Sequence, residues 1–242
     1  MKTSGLVKLT IATLLGLALL IGLGVWQLQR LDWKEGIIAR IEARTERKPM
    51  SLQQAIALAK EGGNVAYYPV HAEGRFHHSR ERYLYALSHD GAPGWHVITP
   101  LETVDGTFVL VDRGFVPESL RDPSSRRLGQ IEDVVTVTGL ARTPEEQSVF
   151  IPDNDPEANQ WFSRDLPAMA RSMFPGGTVQ VAPFFLEAGA SDVPGGWPEG
   201  GQTRLTLDNN HLQYAITWFS LAFCLVVIYG VYLWGAYRGD RS

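Results

Sequence analysis

Asn209-Asn210-His211-Leu212-Gln213-Tyr214-Ala215-Ile216-Thr217-Trp218-Phe219 opens a run that carries no charged residue from Tyr214 to Tyr237. At about 1.5 Å of rise per helical residue, roughly 20 such residues cross the hydrocarbon core of a bilayer. Tyr214 and Trp218 near one end, and Tyr232, Trp234 and Tyr237 near the other, suit the two headgroup zones. His211 stands just ahead of the apolar run, and helical spacing puts Tyr214, Ala215 and Trp218 on its face. An imidazole over an aromatic stripe at the edge of lipid could hold a large, flat, apolar ligand that contains a metal. The plainer alternative is an interfacial polar residue behind an Asn N-cap.

A second apolar run, residues 9–28, lies near the N-terminus behind Lys2 and Lys8. It exceeds a typical signal-peptide core and shows no small-x-small cleavage site before Trp26, so it reads as an uncleaved anchor. Ala12/Gly16 and Ala18/Gly22 are small-xxx-small pairs that would let the two spans pack closely. The segmentation is therefore a transmembrane helix at 9–28, an extramembrane domain at 29–210 and a second transmembrane helix at 211–237. Two spans put both termini on one side. Arg238 and Arg241 favour a cytoplasmic C-terminus, although Arg30, Lys34 and Arg40 after the first span outnumber Lys2 and Lys8 before it. The expected placement is a bacterial inner membrane with cytoplasmic termini and a periplasmic central domain.

Trp26 and Trp33 mark the exit of the first span, and Arg30 and Lys34, one helical turn apart, can reach lipid headgroups or the acid groups of an amphiphilic ligand. Trp33, Ile37, Ile38 and Ile41 carry the helix on to about residue 47. Ser51-Leu52-Gln53-Gln54 reads as a capping box that opens a short helix to about residue 60.

Beyond residue 67 the pattern becomes short strands, at 68–76, 82–87, 95–101, 107–112, 134–140, 184–187 and 202–207, with a helix over 165–173. Asp90-Gly91, Pro93-Gly94 and Asp105-Gly106 are the turn signals between them. Strands that succeed one another through short turns imply an α+β domain with a mainly antiparallel sheet or barrel.

The chain has 242 residues, 45% hydrophobic and 20% charged, with net charge -4. That balance provides no basic field and argues against nucleic acid as a partner. The single cysteine, Cys224, rules out an intramolecular disulfide, a cysteine-rich zinc site and a CxxC redox pair. No GxSxG elbow, HExxH helix or phosphate-binding P-loop occurs, so an enzyme reading lacks support. His77-His78 reads as a solvated turn, since neighbours on a strand point to opposite faces. His71, His89 and His96 have no partners at ligand spacing. Asp112-Arg113 could be catalytic, but reads more simply as a strand-ending ion pair with Gly114 in a turn, and residues 121–127 read as a charged, exposed loop that could serve as a docking surface. Pro194 to Gly201 reads as a flexible loop whose Trp197 reaches the membrane interface.

Taken together, several stretches resemble the Surfeit locus protein 1 family of cytochrome c oxidase assembly factors. They are Gly24-Val25-Trp26-Gln27-Leu28-Gln29-Arg30, Pro69-Val70 with Gly74-Arg75-Phe76, and Gly94 to Leu101. Val109 to Pro117, Thr138 to Arg142, Asn159 to Trp161 with Arg164-Asp165, Pro183 to Glu187, and Asn210 to Phe219 complete the series. They keep the family's order over nearly the whole chain. Asp112 and Phe115 depart from the Asn and Trp usual in the family.

The resemblance implies a non-enzymatic membrane assembly factor acting where haem a enters the oxidase, with His211 as the iron ligand. Tyr214 and Trp218 would line the haem, and Trp26, Arg30 or Lys34 would meet its propionates. Its implied partners are the oxidase catalytic subunit, haem a synthase and membrane lipid. A scaffold that steadies an oxidase subunit without binding haem is the alternative.

Overall fold

The computed structural model describes residues 3–88, 90–145, 148–177, 179–202 and 209–239. His89, Arg241 and all but the first residue of the strand expected at 202–207 lie outside the described residues. The chain divides into a helical unit, residues 1–40 with 205–242, and a sheet-rich unit, residues 41–204.

The helical unit contains most of α1 (Thr3–Thr45) and all of α4 (His211–Gly239). Both helices are long and apolar enough to cross a membrane. Leu14, Leu15, Leu19, Phe223, Ile228 and Val231 are exposed on them. Helices that leave most of their apolar side chains uncovered fit lipid, as in a membrane protein.

The shielded positions of α1, Leu6, Thr10, Thr13, Leu17, Leu20, Gly24, Gln27 and Leu31, advance in alternating steps of four and three. His211, Ala215, Trp218, Ala222, Leu225 and Tyr229 do the same on α4. This is the seam of a left-handed antiparallel pair. Thr10 Oγ1 lies 2.5 Å from the Tyr229 hydroxyl at one end. At the other, a Cβ on Gly24 would come 2.7 Å from the Phe219 ring.

Of the small residues expected at the seam, Gly16 is partly shielded and faces Leu225, but Ala12, Ala18 and Gly22 are exposed, so the small-xxx-small pairs do not form the seam as pairs. A heptad stripe set by larger side chains decides the contact, with Gly24, Ala215 and Ala222 giving the close approach. Trp218 is half-buried on this seam, whereas Tyr214, expected beside it on one face, is exposed.

The second unit opens with a two-residue strand, β1 (Met50–Ser51), and α2 (Leu52–Lys60). Both halves of the capping box form: Ser51 Oγ accepts from the Gln54 N–H, and Gln54 Oε1 accepts from the Ser51 N–H. The strands are β2 (Pro69–Phe76), β3 (Arg82–Leu87), β4 (Pro93–Thr103), β5 (Phe108–Pro117), β6 (Val135–Arg142), β7 (Gln160–Trp161) and β8 (Val181–Ala188). The helix α3 (Leu166–Met173) is capped by Asp165, whose carboxylate accepts from the Ala168 N–H.

Strands β2, β6, β8, β5 and β4 follow in that order, and β4 pairs back onto β2 to close a barrel. Only β5–β8 is parallel within it. Closure brings Gly74 opposite Thr103, where a Cβ would strike the Glu102 carbonyl. Strand β3 adds outside β4, and β7 pairs with β3 at Tyr83 and Leu84.

Two departures from the sequence expectation matter for function. Pro93-Gly94 is not a turn but the start of β4. Strand β5 does not end at Asp112; it runs through Gly114 at φ 112° to Pro117. There the Glu199 carbonyl accepts from the Phe115 N–H at 2.9 Å, so the ladder continues with a partner far along the chain.

Alternation sorts the strands' side chains onto two faces. Val70, Leu101, Val109, Val111, Ala141, Phe184 and Leu186 fill the barrel, with Leu52, Ala55 and Ile56 of α2 over them. Outside, Ile98, Leu110 and Phe185 pack with Leu84, Trp161 and the α3 residues Met169 and Met173. A third cluster holds Tyr83, Trp95, Val97 and Val116. Trp197, half-buried, packs against this cluster.

Candidate functional site

In the helical unit, the seam brings His211, the first residue of α4, against Gln27 of α1, and Gln27 is buried. His211 Nδ1 donates to Gln27 Oε1 at 2.7 Å. An amide oxygen only accepts, so Nδ1 carries a proton, and in the neutral ring Nε2 then keeps its lone pair. A metal-binding imidazole needs this tautomer, with its second nitrogen tied to an acceptor. The sequence reading named His211 but passed over Gln27, whose signal was only its place on the heptad stripe.

Trp26 and Arg30 each precede a seam position of α1 by one residue, as Tyr214 precedes Ala215 on α4. In an antiparallel pair, positions just ahead of the seam project to the same side. Trp26, Arg30 and Tyr214 therefore share one flank, and all three are exposed. Trp218 lies on the seam two turns beyond His211. The Arg30 guanidinium stacks over the Trp33 ring at 4.3 Å. The flank thus offers apolar rings next to a cation, with an imidazole at its edge.

The sheet-rich unit buries two charged clusters that sequence reasoning missed. In the first, both carboxylate oxygens of Asp112 accept from His96 Nδ1 at 2.8 and 2.9 Å, and Oδ2 accepts from Arg164 Nη2 at 2.9 Å. Register explains the meeting. Asp112 pairs with Ile98 on β4 and with Glu187 on β8, while Arg142 of β6 reaches Glu187 Oε2 at 3.3 Å. Burial raises the Asp112 pKa, but the charges and hydrogen bonds of His96 and Arg164 prevail and hold it well below the usual carboxylate range. Burial lowers that of His96, and the Asp112 charge reverses the shift, so its pKa is raised.

Glu81 anchors the second cluster. Its carboxylate accepts from Arg126 Nη2 at 2.5 Å and Arg113 Nη1 at 3.4 Å, with His78 Nδ1 at 3.4 Å. Burial pushes Glu81 up, yet hydrogen bonds from His78 and Arg126 and the charges of Arg126 and Arg113 bring it down to about 2. Tyr83 is pushed up to about 12, first by burial and then by the Glu81 charge.

Asp112 and Arg113 thus do not pair with each other: successive residues of a strand face opposite ways, and each finds its own cluster. Residues 121–127 are largely exposed as expected, except that Arg126 is buried against Glu81. His78 is not in a solvated turn; its Nε2 lies 2.8 Å from the Ile131 carbonyl oxygen. No group of three metal-ligating side chains gathers among the described residues.

Two apolar helices, an enclosed antiparallel-rich barrel and a histidine at the head of the second helix define a class of two-helix, single-barrel protein. Residues 14–223 match the SURF1 family, and the chain belongs to that family. It is 41% identical over 218 residues to Surfeit locus protein 1 of Homo sapiens, covering 83% of this chain and 69% of that protein. Against Surfeit locus protein 1 of Mus musculus it is 38% identical over 215 residues, 83% of this chain and 67% of that one. The SURF1-like protein of Drosophila melanogaster is 33% identical over 219 residues, 83% and 69% of the two chains.

Proposed function

We propose that this protein is a non-enzymatic assembly factor for a haem–copper terminal oxidase, which takes haem a on His211 and passes it to the catalytic subunit. The observation that carries the reading is the Gln27–His211 hydrogen bond of 2.7 Å, because it readies Nε2 as a donor to iron. Haem a carries an isoprenoid tail suited to lipid and propionates suited to water, so a site at the end of an apolar helix serves both. Trp26, Tyr214 and Trp218 would meet the ring, and Arg30 and Lys34 the propionates. A single protein ligand on an open flank favours release of the cargo. The termini face the cytoplasm of a bacterial cell and the barrel lies in the periplasm, where it would meet the catalytic subunit and haem a synthase.

The test is to purify the full chain, and His211→Ala beside it, from cells that make haem a, and to record oxidised and reduced spectra. A haem a spectrum in the wild type that His211→Ala loses supports the reading. Equal haem content in both proteins refutes the ligand assignment. Absence of haem from both, with oxidase subunits still co-purifying, would instead favour a scaffold that binds no haem.

A further inference from the structure

Strands β2 and β8 end and β6 begins at one mouth of the barrel, and a cleft of about 180 Å³ opens there. Phe76, Ile131, Val135, Val137 and Val193 give it apolar walls, and Arg113 is the one cation among its lining residues. An apolar cavity of about 150 Å³ takes up benzene, so the space suits a body of that size. The segment over the mouth is pinned through its backbone. Its Gly129 carbonyl accepts from Arg113 Nη2, and its Glu132 carbonyl accepts from Arg75 Nη1 at 2.9 Å. The Ile131 carbonyl lies 2.8 Å from His78 Nε2. A wall formed in advance spares a ligand the cost of ordering it.

Arg113 follows Val109 and Val111 on the barrel-filling side of β5. Its guanidinium stacks on the Phe76 ring at 4.8 Å. Nη1 and Nη2 are engaged by Glu81, His78 and Gly129. Nε has no acceptor among the described residues, yet it is not sealed from solvent as Arg164 Nε is.

The charge around Arg113 is unbalanced as well. Arg113 and Arg126 share the single carboxylate of Glu81, and no other carboxylate pairs with either among the described residues. The cluster thus holds one more positive charge than negative, away from water. Burial pushes the Arg113 pKa down, and the Glu81 charge restores only part of the loss against Arg126, leaving it at about 10. A buried charge without a counter-charge is costly, and an anion at Nε would supply what is missing. Asp192 also lines the cleft, but it is exposed, so water screens its repulsion.

We infer that the barrel mouth binds a small monocarboxylate, its apolar body between Phe76 and the β6 valines and one carboxylate oxygen accepting from Arg113 Nε. Charge and shape divide the work: the guanidinium selects an anion, and the walls reject anions that lack an apolar body.

The test uses para-fluorobenzoate, followed by fluorine NMR against the full chain in detergent micelles, with empty micelles as the blank. Para-fluorobenzyl alcohol keeps the ring without the charge, and acetate keeps the charge without the ring. Expected is saturable binding of the benzoate, about tenfold or more weaker for the alcohol, with no displacement by equimolar acetate. Bound benzoate should slow hydrogen exchange at residues 131–138 and 188–193. Arg113→Met should weaken binding about tenfold or more, but it also breaks the Glu81 cluster. Ser191 is exposed on the cleft and touches neither buried cluster, so Ser191→Lys and Ser191→Glu supply the second pair of variants. They should tighten and weaken binding, each by about threefold. Absence of saturable binding, an alcohol that binds as well as the benzoate, equal affinity in the two Ser191 variants, or protection elsewhere would overturn the inference. None of these outcomes depends on haem, so the haem reading stands or falls separately.

Discussion

Replacing Glu81 with Gln keeps the shape of the side chain and removes the one carboxylate that Arg113 and Arg126 share. Their side chains are 5% and 1% exposed and that of Glu81 is 2% exposed, so water cannot take over its role. The drop in the Glu81 pKa from an ordinary 4.5 to about 2 corresponds to about 3 kcal/mol of stabilisation. Breaking a buried ion pair from one side independently costs roughly 3–5 kcal/mol, because the remaining charge is stranded. A loss of about 3 kcal/mol lowers Tm by roughly 6–12 °C in a domain of this size. The assay is thermal unfolding of the full chain in detergent micelles, followed by tryptophan fluorescence across a pH series.

The pH dependence has a definite sign. Folding depresses this pKa, so the contribution is complete above the unfolded value of about 4.5 and disappears as pH falls toward about 2. Wild type should lose that stability across this window, and Glu81→Gln should lack the corresponding part of the acid limb. A neutral-pH loss below about 1 kcal/mol, the range of an exposed pair, would refute the account of the cluster as a desolvated anchor.

Two other changes probe the remaining packing. Asp112→Asn removes the main cause that raises the His96 pKa and leaves burial and the Arg164 charge opposed only by Glu187, so the His96 pKa should fall from its raised value, as read by NMR of labelled histidine. In the wild type the His96 contribution is complete below 6.5 and fades as pH rises through its folded value; an unchanged titration in Asp112→Asn would contradict the pairing. Gly24→Ala should push the Phe219 ring off the helix seam and destabilise the pair by about 1–3 kcal/mol, measured as a loss of crosslinking between cysteines introduced on α1 and α4. Phe219→Ala added to it should restore the crosslink, and no recovery would place the strain elsewhere.

Local patterns carried much of this protein. The two charge-free runs specify long helices, since backbone groups in an apolar stretch must satisfy one another. Ser51 and Gln54 mark the start of α2 within a single turn, because a capping box is an interaction over three residues. The strand at residues 82–87 has the same bounds in sequence and structure, alternation and flanking turns being short-range signals. His211 was visible for the same reason, as a polar residue at the mouth of an apolar run.

What remained hidden depends on contacts between elements far apart in the chain. Gln27 and His211 stand 184 residues apart, and Asp112 meets Arg164 across 52. Neither pair has a spacing that a helix or a hairpin would impose. Gly114 looked like the end of a strand, because only the Glu199 backbone waiting beside it lets β5 continue. Arg126 looked solvated until the chain folded it over Glu81. The sequence by itself determined where the chain is apolar, helical or extended. Only the tertiary structure decided which charges are taken out of water together, because closing the barrel sets both the partners and their burial.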